Sequence, residues 1–205
     1  MSNRPTFYIN GDLDKQCLLD VWDFLDCNPN EDVVVLINSS GGVSQIGWEL
    51  FRSFQQHGRV MVKIHRAESA AAMAALGGRW RVAANRSRMF LHNPSSPESR
   101  AGKLDFQVKR QRQLYSAAIA RETGQDIKTV TKWLRKTRSF DSFGMAAAGL
   151  VHCVDDASGD DFALLKLRCV RDMANRLGGG GHASLGSRAA SILRKATRNF
   201  GKPNR

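Results

Sequence analysis

The stretch that decides the fold is Val60-Met61-Val62-Lys63-Ile64-His65-Arg66-Ala67-Glu68-Ser69-Ala70-Ala71-Ala72-Met73-Ala74-Ala75-Leu76-Gly77-Gly78. Residues 60–64 are an apolar run of strand type, and residues 69–76 form a helix with almost no side-chain bulk. A serine stands at the joint. At the first turn of a helix a hydroxyl lies in the field of unpaired N–H groups, where negative charge is stabilised. The alanines behind it let other backbone pack closely. Two readings of Ser69 stand at this point: a helix cap, a common station for serine, and a nucleophile supported by the helix end.

The strand-then-helix order recurs on both sides. Residues 7–11 read as a short strand ending in a turn, and residues 13–25 as a helix with Cys17, Leu18, Val21, Trp22 and Leu25 on one face. Asn28-Pro29-Asn30 breaks that helix. Residues 33–37 are a continuous β-branched run, as expected of a strand buried on both faces, and Val43, Ile46, Leu50, Phe51 and Phe54 mark the next helix. Beyond the central stretch, residues 80–84 and 88–91 read as two strands around an Asn85-Arg86 turn, the second closing on His92. A long polar helix follows over about residues 103–122, with Leu104, Val108, Leu114 and Ile119 as its apolar positions. Its many charges suit a helix that projects or packs against another subunit. Asp126 caps a helix carrying Ile127, Val130 and Leu134, and Asp141 caps the last short one. Repeated βα units of this kind predict an α/β domain with a largely parallel sheet buried by helices.

Composition narrows the function. The chain of 205 residues is long enough for one substantial core, and its net charge of +12 invites a nucleic-acid reading. The distribution of that charge weakens the case. Arg176, Arg188, Arg194, Lys195, Arg198, Lys202 and Arg205, with no acid among them, put more than half of the net charge beyond Met173. Neither a zinc-finger spacing nor an aromatic-rich RNA-binding signature accompanies it. The apolar runs are far short of a membrane span and the first residues lack a signal region, so the expectation is a cytoplasmic protein. Cys17, Cys27, Cys153 and Cys169 show no C-x-x-C spacing and read as structural free thiols rather than metal ligands or disulfides. Residues 158–177 read as a C-terminal helix, and residues 178–205 as a Gly-rich linker with a basic, mobile tail.

Two further elements bear on chemistry. Ser39-Ser40-Gly41-Gly42 at a strand-to-helix turn lacks the lysine and glycine spacing of a phosphate loop. Its alternative role is an oxyanion hole, because glycine lets backbone N–H groups approach a substrate carbonyl closely. With Ser69 as nucleophile, the second N–H would be that of Ala70. His92, at a strand end, is a reasonable base for Ser69, against the plainer role of a polar residue closing a strand.

In order and spacing, these pieces resemble the Clp protease proteolytic subunit family and the related phage head-maturation and signal-peptide-peptidase-type serine peptidases. Ile37-Asn38-Ser39-Ser40-Gly41-Gly42-Val43 is similar to the family's I-N-S-P-G-G-V, and Ala67-Glu68-Ser69-Ala70-Ala71 lies where its nucleophile helix begins. Met89-Phe90-Leu91-His92-Asn93-Pro94 resembles M-I-H-N-P or M-I-H-Q-P with the catalytic histidine, and Thr123-Gly124-Gln125 and Ala148-Gly149-Leu150-Val151 match later landmarks. The resemblance covers residues 7–155 and makes residues 1–157 the Clp protease-like domain. It implies Ser69 as nucleophile, His92 as general base and then acid, and Gly42 and Ala70 N–H groups as the oxyanion hole. It implies a Clp/crotonase-like spiral of ββα units whose handle helix, residues 103–122, joins subunits into stacked rings of seven. An ATP-driven unfoldase would feed peptide or unfolded protein to sites that bind no cofactor and no metal.

Departures from the pattern are equally specific. Counted without gaps from Gly124 or from Gly149, the family's catalytic acid falls on Thr137, which cannot stabilise an imidazolium as a carboxylate does. Asp141 and Glu68 are the candidate substitute acids, although Asp141 also fits a helix cap. His65 stands in place of a glycine, Glu68 in place of a small residue, and Ser96-Pro97 in place of glycines of the family's substrate-binding strand. Three readings follow. The first is a Clp-like serine endopeptidase with a dyad or altered triad; the second is a weak or inactive subunit acting as scaffold in a homo-oligomeric or mixed ring. The third is a nucleic-acid-associated protein using the basic tail, or a crotonase-like acyl-CoA enzyme.

Overall fold

β-branched runs set four strands side by side in parallel: β1 Thr6–Leu13, β2 Val33–Gly42, β3 Val60–Glu68 and β4 Trp80–Leu91. The computed structural model describes residues 4–95, 106–155 and 162–178. Helices α1 Lys15–Cys27, α2 Ser44–His57 and α3 Ala70–Ala75 connect these strands. Then come α4 Phe106–Thr123, α5 Ile127–Lys136, β5 Arg138–Asp141, α6 Ser142–Ala147, β6 Cys153–Asp155 and α7 Phe162–Gly178. The sheet runs β1-β2-β3-β4-β5, with β5 antiparallel to β4 and β6 parallel to it.

Each ladder slips at one level: between Asn10 and Asp12 in β1, at His65 in β3 and over residues 84–87 in β4. Beyond that level the strands continue as a second, short set of pairs ending at Gly42, Glu68 and Leu91. The expected turn at Asn85-Arg86 is therefore corrected: residues 80–91 form one strand, and Arg86, at φ 59°, bulges it without reversing it. The first half of β4 pairs with β6 and the second half with β5. One strand thus serves two neighbours.

The centre of the core is α3, all six of whose residues are buried. Helix α2 lies directly on it: a Cβ at Gly47 would overlap the Ala70 carbonyl oxygen, and one at Gly77 would overlap the Phe51 carbonyl oxygen. Gly47→Ala should accordingly cost about 1–3 kcal/mol of stability, the usual range for overpacking, read from a denaturant midpoint shift. Helix α4 packs through Tyr115, Ala118 and Ile119, and the Tyr115 hydroxyl donates to the Ser44 carbonyl at 2.6 Å. Burial drives the Tyr115 pKa well above its ordinary value. Leu114 is exposed and Ile127 largely so, against expectation. The helical stripe turns slightly, and Tyr115 and Val130 take the inward positions. Leu104 and residues 103–105 lie outside the described residues.

Arg81 is the buried cation of this core, only 3% exposed, on a strand whose neighbours Val82 and Ala83 are apolar. Its guanidinium donates to the carbonyls of Leu76, Glu122, Gly149 and Leu150 at 2.9–3.4 Å and faces the Glu122 carboxylate at 3.5 Å. Those carbonyls close the C-terminal ends of α3, α4 and α6, where helix dipoles concentrate negative charge.

Cys17 and Cys27 are free thiols as expected, and burial, with Asp14 and Asp20 nearby, raises Cys17 to a pKa of about 11. Cys153 and Cys169 correct the expectation, for each is disulfide-bonded. Sequence spacing is silent on distances in the fold, which decide disulfide pairing. The chain divides into two compact units, residues 1–158 and 159–205; α7 lies in the second. The linker and basic tail beyond Gly178, and Ser96-Pro97, fall outside the described residues. Among the described residues no helix is long and apolar enough to cross a membrane.

Candidate active site

Ser69 does not cap its helix. Its side chain makes no capping hydrogen bond, and its backbone sits at φ 56°, ψ −120°, a region that residues with a Cβ rarely adopt. Strain of this kind costs about 1–3 kcal/mol and persists where the surroundings over-determine it. Here they do: Ser69 N–H donates to the Phe90 carbonyl at 2.8 Å, and the Ser69 carbonyl accepts from Ala72 and Met73 at 3.1 and 3.4 Å. The result is a sharp strand-to-helix turn with the serine at its apex, the backbone form of a nucleophile elbow. Ala70, the first helical residue, has an N–H with no intrahelical acceptor.

Gly41 and Gly42, expected as a strand-to-helix turn, are instead the last residues of β2, paired with Asp12 and Leu13, and are seated against this joint. A Cβ at Gly41, whose φ is 102°, would stand 2.6 Å from the Glu68 carbonyl oxygen and 2.8 Å from the Ser69 Cβ. A Cβ at Gly42 would stand 2.5 Å from the Leu13 carbonyl oxygen. Only glycine allows both approaches. Gly41 N–H is held by the Ser39 hydroxyl at 3.0 Å and Val43 N–H by the Leu13 carbonyl at 3.0 Å. The Gly42 N–H lies between these two engaged donors.

His92 follows the last residue of β4, two positions beyond Phe90, which binds Ser69. The two side chains are thus brought to one end of the sheet, half-buried, although not hydrogen-bonded to each other. Such contacts are often loose without substrate. The His92 Nδ1 instead lies 2.9 Å from the Asn93 carbonyl oxygen. A carbonyl only accepts, so this hydrogen bond requires the proton on Nδ1, which in the neutral ring leaves the lone pair on Nε2. Asn93 is held in turn by its N–H, which donates to the Leu134 carbonyl at 3.1 Å.

The antiparallel β4–β5 ladder ends on the pair Leu91–Arg138; His92 immediately follows the first of these, and Thr137, the position to which counting assigns the family's acid, immediately precedes the second. Thr137 is exposed, with φ 57° at the end of α5. The two candidate carboxylates are committed elsewhere. Asp141 accepts from Gly144 N–H at 2.6 Å and pairs in register with Arg88, four residues along β5 from Thr137. Glu68 binds Arg66 at 2.9 Å and Arg88 at 3.1 Å, which offsets the cost of its partial burial. His65 is an exposed bulge residue. The Asn93 carbonyl had no sequence signal, since every residue has one; Gly41 stood in the motif, and its packing against Ser69 is the added information.

A parallel sheet with a common line of bulges, a glycine pair ending β2, a strained serine at a helix start and a histidine at the next strand end defines an α/β fold of the Clp/crotonase type. Residues 11–157 match the model of the Clp protease family, and the chain belongs to that family. Among solved structures, a ClpP1 point mutant from Listeria monocytogenes superimposes with a TM-score of 0.67 at 20% identity, over 75% of this chain and 92% of that chain.

Proposed function

We propose that the chain is a Clp-type serine endopeptidase subunit that uses Ser69 as nucleophile and His92 as base. The observation that supports this reading is the strained Ser69 backbone at a helix start where its side chain makes no capping hydrogen bond. In the reaction, Ser69 Oγ attacks the scissile carbonyl carbon and its proton passes to His92 Nε2. The oxyanion is received by the N–H groups of Gly42 and Ala70, donors of a kind worth about 2.7–4 kcal/mol each in comparable sites. The proton on Nε2 then passes to the leaving amine, the C–N bond breaks, and the acyl group stays on Ser69. Water, deprotonated by Nε2, hydrolyses that ester and restores the hydroxyl. The protein would work in the cytoplasm, as a homo-oligomer or within a mixed ring, on peptide or unfolded protein delivered by an ATP-driven unfoldase.

Fluorophosphonate labelling of the assembled protein tests the chemistry. Labelling should occur at Ser69 and vanish in Ser69→Ala; no labelling and no peptide cleavage by assembled protein would rule the peptidase out. A second reading, a weak or inactive subunit serving as scaffold, is favoured by Thr137 and by the ion pairs that occupy Glu68. Under it, oligomer size in Ser69→Ala and His92→Ala equals that of the parent while the parent itself fails to label.

A further inference from the structure

We infer that the Asn93 main-chain carbonyl takes the orienting part of the missing acid, so that the centre is a Ser–His pair positioned by backbone. The proposal rests on the Ser69–His92 reading given above. Three observations converge on it. The His92 Nδ1 to Asn93 oxygen distance of 2.9 Å is that of a formed hydrogen bond. Glu68 and Asp141 are engaged with Arg66, Arg88 and Gly144 N–H, and neither bonds to His92. Asn93 is anchored to α5 through Leu134, so the carbonyl is not a loosely held acceptor.

The chemical consequence separates two tasks that one carboxylate performs in a full triad. Holding the ring in the tautomer with Nε2 free needs only an acceptor at Nδ1, and a carbonyl supplies it. Stabilising the imidazolium that forms when Nε2 takes the serine proton needs negative charge, and a neutral carbonyl supplies only a partial one. Hydrogen bonds between ionised groups are roughly twice as strong as neutral ones. The pair is therefore correctly oriented and electrostatically under-supported. Asn93 is a positioning residue, acting through its main chain and not its side chain.

Nitrogen-15 spectroscopy of histidine-labelled, full-length protein tests this, with the His92 signals assigned by their loss in His92→Gln. In the neutral ring, Nδ1 should be protonated and Nε2 bare, and Asn93→Ala, which keeps the carbonyl, should show the same tautomer as the parent. A neutral His92 protonated at Nε2 would overturn the proposal, as would an Asn93→Ala variant that switches tautomer while still folded and assembled. The tautomer is read without turnover. A protein with Nδ1 protonated that never labels with fluorophosphonate would sink the peptidase reading alone, whereas an active protein with Nε2 protonated would sink the positioning proposal alone.

Discussion

Thr137→Asp should raise kcat for a fluorogenic peptide by about a hundredfold with little change in KM. The upper bound is set by triads that lose their acid, which fall by about ten-thousandfold through a wrong tautomer and an unsupported imidazolium together. Here the Asn93 carbonyl already holds the ring, so the charge is what remains to be regained. Thr137 immediately precedes Arg138, which pairs with Leu91, so it stands at the same end of the β4–β5 ladder as His92. The backbone also favours the change. Thr137 is β-branched at φ 57°, where aspartate is several-fold more at home. The substitution should therefore leave the melting temperature at or above that of the parent. The fluorophosphonate labelling rate should rise in step with kcat, since both require attack by Ser69 Oγ with transfer of its proton to His92. A rate unchanged within threefold would mean that no side chain at 137 reaches the imidazole.

The second large effect is structural. Arg81→Met should destabilise the fold by about 3–5 kcal/mol, the range for removing one partner of a buried charged network. Methionine fills much of the volume but leaves four carbonyls and the Glu122 carboxylate without their shared donor. Domains are commonly stable by only 5–15 kcal/mol, so a marked fall in the denaturant midpoint is expected. Arg81→Lys should lie between, retaining the charge but not the planar fork that serves several acceptors. If Arg81→Met unfolds with the parent's midpoint, the three helix ends are held by other contacts.

What the sequence disclosed follows from periodicity. Runs such as Val33 to Ile37 and the faces of α1 and α2 announce strands and helices because their side chains repeat with the pitch of the element. Caps at Asp126 and Asp141 were legible for the same reason: a short acceptor before an apolar-periodic run has a defined geometric use, and both carboxylates accept helix N–H groups. Counting assigned the family's acid position to Thr137, which precedes the last pair of the β4–β5 ladder as His92 follows it.

Other features turn on non-local facts. The bulge at residues 84–87 was read as a turn because Asn-Arg carries a turn composition, while β5 and β6 decide whether the chain reverses. Glu68 looked available as an acid because Arg88, which holds it, lies twenty residues away in the chain and beside it in the sheet. Arg81 lies in a run read simply as a strand; only the convergence of three helix ends explains why its charge is buried. For Ser69 the sequence alone held a cap and a nucleophile side by side, with the glycine motif and His92 favouring the nucleophile; its backbone angles and missing capping bond count against the cap.

The alanine helix α3 has one more consequence. Ordering a residue on folding costs about 1–2 kcal/mol in backbone entropy, and long side chains add up to about 2 kcal/mol more, whereas alanine adds essentially nothing. The segment behind the strained serine is therefore among the least expensive to immobilise in side-chain terms. It also has few rotamers to rearrange beside Ser69. Disorder that would blur the position of the hydroxyl is limited by composition before any contact is made.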